Sequence, residues 1–346
     1  MTSEAKLVRF HIQPDSDIPA SQQLVQQLQF AIASRAYPPG HRLPSTRQLA
    51  SLTGLHRNTI SKVYRQLEES GLVESQAGSG IYVKVLGHEG VPIERGTEEV
   101  IGTQLVQQSI DRLLSQGYAL AEIREMFLGE IDWRLLCSAR VLVTVPSSDI
   151  GAGKLIMQDL EPELDIPVQL VPLEELADVL AQTESATVVT SRYFTGEAEA
   201  AIAEAGAGAR AIPVDIYDYS KEMELIAQLP AGSRLGLVCL SSGFLEAASK
   251  IVYSLRGDDL NLMTAQSSDT YKLNAVVRSA RTIVSDRASY ERVRLAIRAA
   301  ADDLIRSPQI ICTQNYISES SIVRLKRELG VVEPEGSEDS ATTPET

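Results

Sequence analysis

The sequence predicts a small α+β module at the N-terminus, joined by a helical segment to a larger α/β body with a doubly wound, mostly parallel sheet. Three observations predict it. A basic, acid-free window lies inside an acidic chain. Two helical periods flank a glycine-terminated turn ahead of a short hairpin. From residue 140 onward, short β-branched runs alternate with amphipathic helical patterns.

At 346 residues the chain is long enough for two or three domains. Hydrophobic residues are 44% and charged residues 23%, as in ordinary globular chains, while 5% aromatics leave the core to Leu, Val, Ile and Ala. No apolar run approaches the roughly 20 residues of a membrane span. The opening MTSEAKLVRFHIQPD has no apolar stretch of the signal-peptide kind. The expectation is a cytoplasmic protein without membrane contact.

The first module is expected over residues 1–86. Ser21–Ala33 is amphipathic through Leu24, Leu28 and Ile32, and Tyr37-Pro-Pro-Gly40 breaks it. Ser45 is the expected N-cap of a second helix that turns Leu49, Ala50 and Leu52 inward. After the turn Thr53-Gly54-Leu55, a third helix runs from about Asn58 to Ser70, with Ile60, Val63, Tyr64 and Leu67 inside and Gly71 as its stop. Two short strands around Ala77-Gly-Ser-Gly80 read as a hairpin.

Residues 87–97 form a linker, and 98–133 a helical connector. In the connector Ile101, Leu105, Ile110 and Leu113 make an apolar stripe suited either to a dimer seam or to packing on the body. The body spans 140–331, with strand-like runs beginning at Val141, Pro167, Thr187, Ala211, Leu235, Leu260, Arg281 and Gln309. Whether it is one lobe or two stays open. Residues 332–346, acidic and poor in core formers, read as a disordered tail.

The net charge of −14 taken alone argues against a nucleic-acid partner. Its distribution argues the reverse. Ile18 to Leu67 holds no Asp or Glu but six Arg or Lys, and residues 1–86 carry +3, which leaves −17 for the rest. Such a window is the footprint of a module facing phosphate. Helix, tight turn and a second helix with exposed basic and amide residues follow the helix-turn-helix plan, in which the second helix enters the major groove. At its start, His56, Arg57, Asn58 and Thr59 are candidates for reading base edges: Arg pairs with guanine, Asn with adenine, and Thr offers a hydroxyl or methyl. Ser61, Lys62 and Arg65, further along, are in reach of phosphate, and the glycines of the hairpin let backbone approach the minor groove.

Residues 6–86 resemble the winged helix-turn-helix domain of GntR-family transcription regulators. The likeness runs through Pro39-Gly-His-Arg-Leu-Pro-Ser-Thr-Arg-Gln-Leu-Ala50, Arg57-Asn-Thr59, Leu67-Glu-Glu-Ser-Gly-Leu-Val73 and Gly78-Ser-Gly-Ile-Tyr-Val83. It implies DNA contacts at Arg47, His56, Arg57, Asn58, Thr59 and Ser61, and at Ala77 and Gly78 in the wing. Three positions depart from family habit: Ser21 where many members have Tyr, Arg35 where Gly is frequent, and Ser61 where some have Arg. The wording is most similar to the cyanobacterial PlmA branch over the whole chain. That implies a homodimer on double-stranded DNA, linked to the PII–PipX signalling proteins.

In the body, the strand ends are small and polar. Ser147, Ser148, Ser191, Arg192, Ser241 and Ser242 form a candidate effector pocket for an anion at the carboxyl ends of the strands. The alternative is that these residues only cap helices. Gly151-Ala-Gly-Lys154 does not make a phosphate loop, because Ser148 stands at the first glycine and Leu155 at the Ser/Thr position. All four histidines precede residue 89, and no spacing suggests paired catalytic carboxylates or a metal site, so neither an enzyme nor a cofactor is expected. Two further readings are a protein-interaction scaffold without ligand and an aminotransferase-like pyridoxal-phosphate regulator; against the latter, the body is short and lacks a recognisable Schiff-base lysine. Cys137, Cys239 and Cys312 exclude a disulfide framework, and Cys312 is the one expected nearest the surface.

Overall fold

A computed structural model describes residues 10, 12–13, 18–76, 79–85, 98–164, 166–183, 185–206 and 208–331. The expected linker and acidic tail lie outside the described residues. In the first module α1 (Ala20–Ala33), α2 (Thr46–Thr53) and α3 (Arg57–Glu69) precede an antiparallel pair, β1 (Val73–Gln76) and β2 (Gly80–Val83). Their common core holds Leu24, Leu28, Leu49, Ile60 and Leu67, all fully buried. Leu52, expected inside, is half exposed: α2 is only eight residues long and turns one full apolar position, Leu49, to the core.

A helix pair follows, α4 (Glu98–Ser115) and α5 (Leu120–Cys137), joined through a turn at Gly117 and in contact with one another. The connector was expected to end at 133, but α5 continues to Cys137. The cause is packing: Cys137 is buried and its thiol donates to the Gly208 carbonyl at 3.2 Å, tying the last turn of α5 to the body.

The body has two lobes. The first contains β3 (Val141–Val145), α6 (Ile150–Leu160), β4 (Val168–Pro172), α7 (Leu176–Ala181), β5 (Ser185–Ser191), α8 (Thr195–Ala205) and β6 (Gly208–Val214), in the parallel order β4-β3-β5-β6. The second contains α9 (Ser220–Ala227), β7 (Ser233–Cys239), α10 (Ser242–Arg256), β8 (Leu260–Gln266), α11 (Thr270–Ser279), β9 (Thr282–Ser285), α12 (Arg287–Ala299) and β10 (Gln309–Cys312), in the parallel order β10-β9-β7-β8. α13 (Glu319–Glu328) returns to pack on β6.

Both sheets are covered on both faces, which is why a central strand such as β3 is buried along its whole length and reads as a nearly continuous apolar run. Val141, Val143 and Val145 face one core and Leu142 the other, as the two-residue period of a strand requires. The first of these cores continues through Leu235, Leu237 and Cys239 of the second lobe and reaches Ala33 at the end of α1. Winged module, first lobe and second lobe therefore share one apolar cluster. The chain crosses between lobes twice, and the crossings pair: Tyr217 N–H donates to the Tyr316 carbonyl and Ser318 N–H to that of Asp215, both at 2.9 Å.

Candidate nucleic-acid interface and its link to the body

α2 starts from a capping box in which Gln48 N–H donates to Ser45 Oγ at 3.2 Å and Ser45 N–H to Gln48 Oε1 at 2.9 Å. Gly54, at φ +72°, ends the helix in the left-handed conformation that glycine adopts without strain and so sets the tight turn. His56 then caps α3, its Nδ1 accepting from Asn58 N–H at 3.3 Å. The Tyr64 hydroxyl donates to the Pro44 carbonyl and fixes α3 against the entry to α2.

These local devices leave one face of α3 outside the core. Ile60, Val63, Tyr64 and Leu67 are buried, whereas His56, Arg57, Asn58, Ser61, Lys62 and Arg65 are exposed and Thr59 is half-buried. Asn58, Ser61, Lys62 and Arg65 follow the three- and four-residue spacing of one helix face. Ser61 Oγ donates back to the Arg57 carbonyl at 3.1 Å, which occupies its hydrogen. Arg47, on the first turn of α2, is also exposed. Ala77 and Gly78 lie outside the described residues. Sequence reasoning missed Arg42, whose backbone bridges Tyr82 and whose guanidinium lies across Gly80 at the base of the wing; its place in the basic window was the available signal.

A second missed residue is Arg35. Among the described residues it is the one non-glycine with positive φ, +56°, which accounts for the frequency of glycine at this position in the resemblance. Arg35 Nε donates to Asp215 Oδ2 and Arg192 Nε to Asp215 Oδ1, each at 2.7 Å. The side chain of Asp215 is 0% exposed, that of Arg192 3% and that of Arg35 33%. Burial alone raises the Asp215 pKa, but the two guanidiniums, Arg192 foremost, outweigh it and hold the carboxyl below the usual aspartate range. The array ties the winged module to the crossover between lobes.

The six strand-end residues do not assemble as one anion pocket. Ser148, Ser241 and Ser242 meet where the lobes touch, but the anion there is the protein's own. Asp149 Oδ2 accepts from Ser241 Oγ at 2.8 Å and Gly243 N–H at 3.2 Å, and Oδ1 from Ser242 N–H at 2.9 Å. Ser241 also caps α10, accepting from Phe244 N–H at 2.9 Å. Ser147 is held by Glu174 at 2.6 Å, and Arg192 by Asp215. Ser191 alone lines a separate cavity, with Asp149 at its edge. The expectation of an anion site is corrected on this ground: a carboxylate from the first lobe already fills the helix N-terminus of the second. Of the cysteines, Cys137 and Cys239 are buried and Cys312 is exposed, yet partial burial pushes the Cys312 thiol up, away from the reactive thiolate form.

Comparison with known proteins agrees with this geometry. Residues 20–83 match the family described as bacterial regulatory proteins, gntR family, and residues 221–314, which run from α9 to just past β10, match the C-terminal domain of cyanobacterial PlmA-type GntR regulators. The chain is 34% identical over 100 residues to the HTH-type transcriptional repressor YtrA of Bacillus subtilis, covering 29% of this chain and 75% of that protein. It is 31% identical over 84 residues to the HTH-type transcriptional regulator Rv1152 of Mycobacterium tuberculosis, covering 24% of this chain and 69% of that one. Among solved structures, YtrA from Sulfolobus acidocaldarius, a GntR-family transcription factor, matches at 26% identity over 35% of this chain and 95% of that chain, with a TM-score of 0.21. A capped, glycine-turned helix pair and wing, matched over nearly the whole module, go with a PlmA-type domain behind it: the chain belongs to the GntR family of transcription regulators.

Proposed function

We propose that the chain works as a homodimer on two-fold-related double-stranded DNA and that its α/β body receives the signal that sets DNA affinity. The observation that carries the DNA reading is the exposed face of α3, free of acidic residues from Arg57 to Arg65. Arg57 and Asn58 read base edges from the major groove, with His56 and Thr59 beside them. Arg47, Lys62 and Arg65 hold phosphates, Ser61 joins them by turning its hydroxyl from the Arg57 carbonyl to the phosphate, and Ala77 and Gly78 bring the wing to the neighbouring minor groove.

Dimerisation falls to the α4–α5 pair. Leu105, Leu120, Leu128, Ile131 and Leu135 are each at least 40% exposed there, an apolar surface that a second copy would cover. Leu113 and Ile110, expected in the seam, are half-buried, and the side chain of Ile101 lies outside the described residues. Dimers place their recognition helices about 34–36 Å apart, one turn of DNA. The body would act as the receiver, either of a small molecule or of a docked protein of the PII–PipX kind that the PlmA-type resemblance implies. The site of action is the cytoplasm; among the described residues no helix is long and apolar enough to cross a membrane.

Fluorescence anisotropy on a selected operator tests the DNA reading. Arg57→Ala is expected to weaken the cognate site by about 1–3 kcal/mol and relax preference at one base pair, and Lys62→Ala to weaken all sequences alike and lower the salt slope. A uniform loss from Arg57→Ala would remove it from base reading.

A further inference from the structure

Where α1, the first lobe and the second lobe meet, a half-open cavity of about 320 Å³ is lined from all three sides. That volume is at the lower end of small-molecule sites. Two residues on its wall each carry a buried polar atom without a hydrogen-bond partner among the described residues: Gln26, from α1, its Oε1, and Ser191, at the end of β5, its Oγ. Buried polar atoms are nearly always paired, so an orphaned amide oxygen and an orphaned hydroxyl beside one cavity are groups that an occupant donating hydrogen bonds would satisfy.

The remaining wall narrows the chemistry. Asp149, Glu197 and Glu246 contribute three carboxylates against one ammonium, Lys250, and Lys250 Nζ is already bonded to Glu246 Oε1 at 2.6 Å. Asp149 is engaged by the start of α10, which leaves the exposed Glu197 facing the opening. The rings of Tyr193, Phe244 and Tyr316 supply aromatic surface of the kind that attracts a cation. An anion meets net negative charge here. A donor-rich organic cation meets acceptors, carboxylate and ring faces.

We propose that this cavity binds a small primary amine or guanidinium compound without a carboxylate, which donates to Gln26 Oε1 and Ser191 Oγ and pairs with Glu197. Because Gln26 belongs to the winged module and Ser191 and Glu197 to the body, the bound amine joins the two and favours the arrangement in which α1 is docked. This deepens the reading of the body as receiver and rests on it for its regulatory meaning, though not for binding itself.

Isothermal titration calorimetry on the full chain tests it, with agmatine and putrescine as probes and glutarate as the anionic control. Saturable binding of either amine, absent for glutarate, is expected, and Gln26→Leu, Ser191→Ala and Glu197→Gln should each weaken it at least about tenfold. No binding of either amine up to about 10 mM, or amine affinity unchanged by Glu197→Gln and Gln26→Leu, overturns the proposal. Glu197 is exposed, so its variant carries the test even where a buried substitution harms folding. Operator affinity measured with and without agmatine separates the two ideas. Binding that leaves DNA affinity unchanged supports the site and sinks the receiver reading; an agmatine effect on DNA that persists in Glu197→Gln and Gln26→Leu sinks the site.

Discussion

Replacing Arg35 by glycine and Asp215 by asparagine should have very different consequences, although the two side chains touch. Asp215 is fully buried and serves two guanidiniums, one of them, on Arg192, only 3% exposed. Asp215→Asn removes the charge that offsets that buried cation, and such a break costs about 3–5 kcal/mol. Arg35 is different on two counts. Its side chain is 33% exposed, so solvent screens its ion pair to about 1 kcal/mol or less. Its backbone sits at φ +56°, which costs a non-glycine residue about 1 kcal/mol. Arg35→Gly loses the pair, relieves the strain, and adds roughly 0.5–1 kcal/mol of unfolded-chain freedom. The net is within about 1 kcal/mol of zero. Arg35→Ala keeps the strain but does not add the unfolded-chain freedom, so the two terms largely cancel and it should lie within about 0.5 kcal/mol of glycine.

Urea unfolding followed by circular dichroism reads these differences, each transition being fitted separately because the chain has more than one core. The expected order of stability is wild type, then Arg35→Gly and Arg35→Ala close together, then Asp215→Asn well below. A cost above about 3 kcal/mol for Arg35→Gly would refute the account, since it would make the exposed arm of the array the principal one. So would Asp215→Asn at less than about 1 kcal/mol.

Two other substitutions test the assembly. Leu128→Glu with Ile131→Glu, both exposed on one face of α5, should give a soluble monomer by light scattering and weaken operator binding; an intact dimer would move the seam elsewhere. Gly151→Ala would drive a Cβ into the Leu240 carbonyl, a backbone atom of the other lobe, so the lobes must separate, at a cost of about 1–3 kcal/mol in thermal or urea unfolding; a neutral effect would show that the lobes do not pack this closely.

The winged module was legible because its signals are local. Ser45, Gly54, the apolar spacing of α3 and the acid-free window each act within a few residues. The strands of the body were legible for the same reason: sheets covered on both faces produce runs such as Val141–Val145 that need no partner to be seen. What was not legible depends on which residues meet across long sequence separations. Two lobes and one lobe give the same alternation of strand and helix. Asp149 and Ser241 are 92 positions apart, and nothing local to either says that the carboxylate fills the helix start that an anion would otherwise occupy. Arg35 left one trace, a departure from glycine, but its meaning required Asp215, 180 positions away. Leu52 looked like a core residue because its spacing was right; the shortness of α2 decided otherwise.

Acid should act on the link between module and body in a definite direction. Asp215 has its pKa lowered in the fold, so the stabilisation it brings is fully present above the unfolded value of about 3.9 and is lost as pH falls through the lower folded value. Asp149 and Asp159 run the other way. Burial raises both, ahead of the lowering effect of their hydrogen bonds, so the folded chain takes up those protons before the unfolded chain does. Mild acidification therefore favours the fold at these two sites, and only below about pH 4 does the Asp215 array begin to fail. The thermal midpoint of the wild type followed from pH 7 downward contains both contributions, together with those of the other carboxylates, and variants separate them. Asp149→Asn should remove part of the gain on mild acidification, while Asp215→Asn, already lower at neutral pH, should fall less steeply in strong acid than the wild type. An acid limb of the same steepness in Asp215→Asn and wild type would mean that this carboxylate does not titrate with folding, and the array would lose its place as the acid-sensitive tie between the DNA-binding module and the body.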